Sequence, residues 1–339
     1  MISAFSSAVL LGIVRALNVP IPFLLQTFFP KIVTEESESI HFDVEVEVLK
    51  LAPFVHPDAP GALVEETPYR TDEFTPANIR MVRSLNPSRP LKRVMGEKLL
   101  GEYSPQQRLE ILTVRALEEM KKMRLRRMEH MAASALRTAS VTVVGENYPT
   151  SVVNFQRDAA LTVTLGAGVK WSDAGVNPLK NLADWGQIML AKSGTQALDV
   201  VMDIGAWNAF RENPFVKDRL TTQRALKDAP SMRQDTPLVN GATFMGVIDG
   251  FNIWVYIQIY KDDAGVVQSI LPNGTVLMVG PLEGVQHYGA IANLNSLEAV
   301  PEFPSSWEQH NPSRRFVMLE SAPLVVPTRV NATLSASVL

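Results

Sequence analysis

The side chains that could act as nucleophiles, bases or metal ligands are scattered along this chain of 339 residues. The five histidines stand far apart, and none has the H-x-x-x-H or H-E-x-x-H spacing of a zinc site on a helix. Ser193 lies between Ala191 and Thr195, where the turn that exposes a nucleophilic serine requires two glycines. The chain has no cysteine, which excludes disulfides, cysteine-ligated zinc and a cysteine nucleophile.

Glycines and acidic residues give no stronger catalytic signal. Gly166 and Gly168 begin a G-x-G motif, but Trp171 occupies the position of the third glycine in a dinucleotide-binding loop. Asp199 and Asp203 bracket a short apolar run, where aspartates usually cap an element or form a turn. We therefore predict no enzyme activity, no catalytic residue, no cofactor and no bound metal ion.

One long helix dominates the elements that could position any site. The helix is predicted from Ser104 to about Leu136, because Ser104, Pro105 and Gln107 form a strong start and no Gly or Pro follows before Gly145. A helix of about 32 residues would be about 48 Å long, which is several times the average length. Such a rod suits a protein whose work is to hold a shape.

The charged residues of this helix allow two interpretations. The favoured one is a solvated face with ion pairs such as Glu118 with Lys122; the alternative is a basic face for an acidic partner or nucleic acid. The charged residues are Lys121, Lys122, Arg124, Arg126 and Arg127, balanced by Glu118, Glu119 and Glu129. The methionines Met120, Met123, Met128 and Met131 are interpreted as core packing, and His130 as a surface residue.

The apolar N-terminal segment is interpreted as an arm. Residues Ala4 to Val14 could imitate a signal peptide, but no basic residue precedes them and no cleavage pattern follows. The stretch is also too short to span a membrane. The arm then packs either on its own core or on a neighbouring subunit, and an exposed apolar arm is costly for a monomer.

The rest of the chain predicts an α+β protein. Ser39 to Val48 alternates apolar and polar residues as a half-buried strand does, and a proline-rich extended tract follows it. From Asn177 onward helices and strands alternate. A hydrophobic content of 46% is ample for a core, and a net charge of −3 does not favour nucleic acid or anionic lipid as a partner of the whole surface.

Several short motifs occur in the order known for one family and cover nearly the full length. They are Glu73–Pro76, Leu271-Pro272, Tyr288-Gly289 with Ile291, and finally Pro312, Arg314, Phe316, Met318 and Ser321–Leu324. By these motifs the chain resembles the lambda-like phage major head proteins, the phage major capsid protein E family.

The resemblance implies the tailed-phage (Hong Kong 97-type) capsid fold. The expected parts are an N-terminal arm (1–34), a first strand with an extended β-hairpin loop (35–100), a peripheral domain with a spine helix (101–176), an axial domain (177–300) and C-terminal strands that return to the peripheral domain (301–339). The extended loop itself is expected from about Asp43 to Arg93.

The function that the resemblance implies is that of a major capsid protein in the virion, made in the cytoplasm of a host bacterium. Pentamers and hexamers would form an icosahedral head that encloses double-stranded DNA without sequence-specific binding and without a membrane. Expected partners are further copies, a separate scaffold protein, a portal and, as an optional partner, a decoration protein. The candidate inter-subunit contacts are Phe23, Phe28, Phe29, Phe74, Pro76, Arg80 and Arg83.

Two other functions stay open at this point. A cellular nanocompartment shell of the encapsulin type would share the fold, and its cargo would distinguish it from a phage head. An α+β hydrolase with an undetected site is the other alternative, and a compact monomer in gel filtration would favour it.

Overall fold

A single long helix and a six-stranded sheet organise the chain in the computed structural model. The structure describes residues 6–45, 51–57, 60–64, 69–98, 101–145, 148–225, 240–262, 264–291, 293 and 299–339. The predicted strand positions Val46 and Val48 lie outside these residues. Within them, no helix is both long enough and apolar enough to cross a bilayer.

The long helix α3 (Pro105–Thr138) confirms the sequence prediction and extends it slightly at the C-terminal end. The Ser104 hydroxyl accepts from the Gln107 amide at 3.3 Å, and the Gln107 side chain accepts from the Ser104 amide at 2.9 Å. At the other end Arg157 donates to the carbonyls of Leu136 and Arg137, both at 2.7 Å. Side chains therefore satisfy backbone groups that a helix leaves unpaired at its ends.

The arm (residues 6–34) folds along α3 as three short elements. They are helix α1 (Ser7–Ala16), helix α2 (Phe23–Phe28) and strand β1 (Lys31–Thr34). Strand β1 pairs in parallel with β14 (Val285–Tyr288), which pairs with β17 (Pro323–Val326). The arm thus joins segments that lie far away in sequence.

The six-stranded sheet carries most of the second half of the chain. Its order is β7 (Thr162–Thr164), β18 (Thr333–Ser337), β13 (Thr275–Val279), β8 (Asp199–Met202), β10 (Phe251–Tyr256) and β9 (Ala242–Ile248). Helices α4 (Pro178–Ser193), α5 (Ile204–Glu212) and α6 (Pro214–Ala225) accompany it. Trp171, Trp185 and Phe210 fill the core between this sheet and its helices.

A three-stranded sheet packs on the middle of α3. Its order is β15 (Phe303–Gln309), β16 (Arg314–Ser321) and β4 (Ile79–Leu85). Val317 and Leu319 of β16 meet Leu117 and Met120 of α3 in a small core that Leu10 of α1 completes.

Three hairpins complete the described structure. Strand β2 (Ile40–Glu45) pairs with β3 (Tyr69–Phe74), β5 (Ser140–Gly145) with β6 (Tyr148–Asn154), and β11 (Ile259–Lys261) with β12 (Val267–Ser269). Ile40, Phe42 and Val44 are buried while His41 and Asp43 are exposed, which confirms the predicted alternation. The chain between β2 and β3, here the β2–β3 loop, has no regular helix or strand in residues 51–57 and 60–64.

Two boundaries differ from the expected division. Strand β4 was expected in the extended loop, but it pairs with β16 in the three-stranded sheet. Strand β18 was expected to return with the C-terminal strands to the long helix's domain, but it lies between β13 and β7 in the six-stranded sheet. Both corrections have the same reason: strand pairing joins segments distant in sequence, so a boundary in sequence does not mark a boundary in space.

Candidate subunit interface

The three aromatic residues of the arm that were expected to contact a neighbouring subunit lie in the core of their own subunit. Phe23, Phe28 and Phe29 are 2%, 6% and 0% exposed. The Phe23 ring lies 4.9 Å from the ring of Trp254 and 6.4 Å from that of Tyr256. In this conformation the three side chains pack within their own subunit, and their contact with a neighbouring subunit stays a prediction.

The two candidates beside the β2–β3 hairpin are also largely covered. Phe74 is half-buried against the main core, and Pro76 is buried. Pro76 approaches Gly289 so closely that a methyl group on the glycine would lie 3.1 Å from the proline ring. Pro76 thus makes a contact within the subunit, while Phe74 keeps part of its surface, and the contact of either residue with a neighbour stays a prediction.

The two arginines on β4 keep about half of their side-chain surface, although each has an acidic partner in its own chain. Arg80 is 51% exposed and its Nε lies 2.7 Å from a carboxylate oxygen of Glu320, which is buried. Arg83 is 44% exposed and pairs with Glu119 of α3. These residues hold β4 to β16 and α3, and they remain available on the surface.

The most exposed apolar side chains were missed by the sequence reasoning. Leu51, Phe54 and Leu63 in the β2–β3 loop are 96%, 105% and 99% exposed, respectively. They have no periodic spacing, and prolines interrupt the tract. The only signal in the sequence was a set of large apolar residues within a proline-rich tract. An analysis of hydrophobic periodicity does not detect such residues.

The predicted solvated face of α3 is only partly correct. Lys122, Arg126 and Arg127 are exposed, and the ion pair between Lys122 and Glu118 is present. Lys121 and Arg124, in contrast, have side chains only 13% and 5% exposed. The arm covers Lys121 and the C-terminal third of the chain covers Arg124, so charges that look solvated in sequence point into the protein. Met123 is 50% exposed, so it lies outside the predicted methionine core.

The buried cations Lys121 and Arg124 connect α3 to the arm and to the C-terminal third of the chain. Lys121 Nζ donates to the carbonyls of Val14 at 2.8 Å and Leu17 at 3.2 Å, at the C-terminal end of α1. Arg124 donates to the Tyr288 hydroxyl at 3.0 Å and lies 3.2 Å from Glu302. A cation at the C-terminus of a helix is favourable, because that end carries partial negative charge.

Two glutamates, Glu129 and Glu97, are buried. Glu129 was expected on the solvated face of α3, and Glu97 was not singled out in the sequence. Glu129 is 0% exposed and accepts from the amides of Leu24 at 2.9 Å and Leu25 at 3.0 Å and from the Tyr256 hydroxyl at 2.7 Å. Burial raises the pKa of Glu129 to about 7. Here a carboxylate of α3 joins the first turn of α2 to strand β10.

Glu97 lies at the start of α3 in a very different environment. Its side chain is fully buried and accepts from the amides of Val94 at 3.0 Å and Glu102 at 3.0 Å. The guanidinium of Arg108 in α3 lies 2.6 Å away and lowers the pKa of Glu97 to about 2. The loop before the helix is therefore held to its first turns by a charge-paired carboxylate.

The side chains first considered for chemistry have structural roles. Asp203 caps α5 by accepting from the amides of Gly205 and Ala206, and the Ser193 hydroxyl donates to the carbonyl of Met189 within its own helix. His130 is half-buried against the ring of Tyr260. Within the described part of the chain, no group of three or more His, Asp or Glu side chains could hold a metal ion.

Comparison with known protein families gives one match over almost the whole chain. The family model described as phage major capsid protein E matches residues 6–338. The chain is 24% identical over 312 residues to the major capsid protein of Escherichia phage lambda, covering 90% of each chain. It is also 24% identical over 319 residues to the major capsid protein of Escherichia phage N15, again covering 90% of each.

Solved structures give the same fold. A crystal structure of the putative capsid protein of a prophage from E. coli CFT073 matches with a TM-score of 0.76 and 16% identity, covering 98% of this chain and 99% of that one. The capsid of Ralstonia phage GP4 matches with a TM-score of 0.52 and 14% identity, covering 95% of this chain and 92% of that one. The expected tailed-phage capsid fold is confirmed by these matches.

Proposed function

The chain belongs to the phage major capsid protein E family, and on that premise we propose that its β2–β3 loop is the surface by which each subunit holds a neighbour in the shell. The protein is a major capsid protein of a tailed phage and forms the virion. Capsid proteins of this kind self-assemble into icosahedral shells, and the homologous proteins are structural proteins and not enzymes.

One observation carries the proposal for the loop. Leu51, Phe54 and Leu63 are essentially fully exposed, more so than the other exposed apolar side chains of the described residues. Apolar surface gains roughly 25 cal/mol per Å² when it leaves water, so three such side chains favour a contact with another surface. Contiguous exposed apolar surface marks an interaction site. The second copy is the partner that a shell always supplies.

The prolines of the loop support the same role. Pro53 and Pro57 flank Phe54 and restrict the backbone of the free chain. A segment with fewer conformations loses less entropy when it settles on a neighbour. The described residues of the loop, which form no helix or strand, are therefore suited to settle on a neighbouring surface.

The remaining candidates contribute at the edge of this contact. Arg80 and Arg83 keep about half of their surface, and Phe74 keeps part of its ring. Their internal partners Glu320 and Glu119 hold them in place. In the rim of an interface such charges affect specificity and association rate more than affinity.

We also propose the larger assembly, which family membership supports. Subunits form pentamers and hexamers, a separate scaffold protein and a portal take part in assembly, and a decoration protein is an optional partner. The shell encloses double-stranded DNA without sequence-specific binding, which agrees with a net charge of −3. The absence of cysteine supports synthesis in the reducing cytoplasm of a host bacterium.

The division into domains is proposed from the sheets. The peripheral domain comprises α3 with the sheet of β4, β15 and β16, and the axial domain comprises the six-stranded sheet with α4, α5 and α6. Strand β18 belongs to the axial sheet by its pairing with β13.

Replacing Phe54 by Ser tests the loop directly. We expect a soluble, folded subunit that forms shells poorly when it is produced together with the other head proteins of its phage, because the replaced side chain contacts nothing within its own subunit. Shell yield is measured by sedimentation and electron microscopy, and folding by circular dichroism. The combined change of Leu51, Phe54 and Leu63 to Ser should abolish shells.

The matched control is Ala62→Ser in the same loop, an exposed position with little apolar surface. This control should assemble like the unmodified protein. Normal shells from the triple variant would contradict the proposed role of the loop, whereas an unfolded triple variant would contradict the claim that these side chains lie outside the core.

A nanocompartment shell is the second candidate because it shares the fold. The match to a phage capsid family over residues 6–338 favours the phage head. Electron microscopy of particles purified from infected or induced cells separates the two, since a phage head carries a portal and DNA.

A further inference from the structure

Helix α3 holds the two arm helices at their facing ends with two ionisable side chains. Lys121 lies at the C-terminus of α1, where it donates to the carbonyls of Val14 and Leu17. Glu129, about two helical turns further along α3, lies at the N-terminus of α2, where it accepts from the amides of Leu24 and Leu25. The cation of Lys121 suits the partial negative charge at the end of α1, and the carboxyl group of Glu129 supplies two acceptor oxygens for the first amides of α2.

The two contacts differ in how their charge is balanced. Lys121 lies 3.5 Å from Glu302, so the cation has an anionic neighbour. Every group that donates to Glu129 is neutral: two backbone amides and the hydroxyl of Tyr256. A carboxylate with no exposed surface and no cation beside it is costly to ionise, because hydrogen bonds from neutral groups replace only part of its hydration.

The elements around Glu129 bring no compensating charge. Helix α2 (FLLQTF) has no ionisable residue, and β10 contributes only Tyr256. On α3, the guanidinium of Arg124 points to Tyr288 and Glu302, and His130 faces Tyr260 of β11. Burial also lowers the pKa of His130 below its ordinary value, which disfavours a cation at this position.

The protonated form of Glu129 can be satisfied without moving the arm. Its proton can be donated to the Tyr256 oxygen, and the Tyr256 hydroxyl can then donate to Gln258, whose side-chain oxygen lies 3.4 Å away. The amides of Leu24 and Leu25 keep their acceptors. The neutral acid therefore fits the closed arm, whereas the anion fits better when water reaches it.

We propose that Glu129 is a pH-sensitive latch that holds helix α2 on the subunit when it is neutral and loosens it when it is ionised. Opening of α2 uncovers Phe23, Leu24, Leu25 and Phe28, which are buried against the core in the closed arm. The same apolar residues then become available to a neighbouring subunit. Ionisation of Glu129 would thus release the arm from its own subunit and let it contact a neighbouring copy.

The direction in which the stability of the closed arm depends on pH follows from the sign of the pKa shift of Glu129. Burial raises the pKa of Glu129 from 4.5 to about 7, so the closed form binds more protons than the open form between these values. The closed arm is stabilised most at low pH, and this stabilisation is lost as the pH rises through about 7.

Hydrogen exchange of the purified full-length subunit tests the latch. Protection factors, which remove the intrinsic pH dependence of exchange, are compared at pH 5.5 and pH 8 for residues 23–29. We expect the opening of α2 to increase roughly tenfold or more over this range, because each unit of pKa shift corresponds to a factor of about ten. Residues 7–17 in and just after α1 serve as an internal control and should change little.

Two variants make the outcome decisive. Glu129→Gln keeps the size of the side chain and cannot ionise, so the pH dependence of residues 23–29 should disappear. Tyr256→Phe removes a hydroxyl that bonds to both forms of Glu129, so α2 should open more at both pH values while the pH dependence remains. Equal protection of α2 at both pH values would overturn the proposal, and so would a pH dependence that persists in Glu129→Gln.

Discussion

At the scale of single residues, two buried glutamates show how local partners decide the behaviour of the same side chain. Glu97 has the guanidinium of Arg108 beside it, and its pKa falls to about 2. Glu129 has only neutral donors, and burial raises its pKa to about 7. Glu97 is therefore ionised throughout the physiological range and fastens the start of α3, whereas the charge of Glu129 depends on ordinary changes of pH.

Glu97→Gln is predicted to destabilise the protein at pH 7, because the ion pair with Arg108 is lost while the guanidinium stays partly buried. The stabilisation by Glu97 is complete above the unfolded value of 4.5 and is lost as the pH falls towards 2. Urea unfolding midpoints of the variant and the unmodified protein should thus differ most at pH 7, approach each other below pH 4.5 and converge only near pH 2.

The control for this prediction is Glu102→Gln. Glu102 is 44% exposed and pairs with exposed Lys98. Ion pairs on the surface contribute little, so this variant should unfold almost like the unmodified protein at both pH values. A larger effect at Glu102 than at Glu97 would contradict the importance of the buried pair.

At the scale of elements, the arm is held by close backbone contact as well as by charge. Strand β1 pairs with β14, and just before β14 the residue Gly284 meets the turn between α2 and β1. A methyl group on Gly284 would lie 2.3 Å from the carbonyl oxygen of Phe28 and 2.3 Å from the ring of Phe29. The arm can approach so closely only because position 284 has no side chain.

Gly284→Ala is predicted to push the arm away from β14. The expected loss is about 1–3 kcal/mol in the free energy of unfolding, which is typical of overpacking in a core. Differential scanning calorimetry gives the loss, and proteolysis at the arm shows where it acts.

The matched control lies in the arm itself. Gly12 is exposed in α1, and a methyl group there meets nothing within 4 Å. Gly12→Ala should therefore stabilise the protein by about 0.5–1 kcal/mol through helix propensity. If both alanines had the same effect, steric contact at Gly284 would not be the cause.

At the scale of the whole molecule, the subunit combines buried cores with a loop whose large apolar side chains are almost fully exposed. Trp171, Phe155 and Met128 are buried, whereas Leu51, Phe54 and Leu63 stand in solvent. A monomeric protein gains nothing from such a segment, but a shell subunit meets another copy wherever the shell is closed.

Limited proteolysis with chymotrypsin tests whether a neighbouring subunit covers the β2–β3 loop in the assembled shell. Free subunits should be cut rapidly within residues 51–64, and assembled shells should resist cleavage there. Trp307 is 44% exposed but lies in paired strand β15, so it should resist in both states. Equally fast cleavage of the loop in closed shells would show that no neighbour covers it.

Local features could be predicted from the sequence because their causes are local. The capping box of Ser104 and Gln107, the alternation of Ile40, Phe42 and Val44, and the Asn177 start of α4 depend on residues a few positions apart. The family, too, was visible, since short motifs such as Glu73–Pro76 keep their order along the chain.

Only the tertiary structure decided which surfaces stay free. Glu129 and Arg124 look like solvated charges in sequence, and they are buried because Leu24, Tyr256 and Tyr288 reach them from distant segments. Phe23, in turn, looks like a contact for a neighbour and packs on Trp254 instead. Burial depends on which distant elements meet, and the hydrophobic periodicity of one segment does not indicate which element will pack against it.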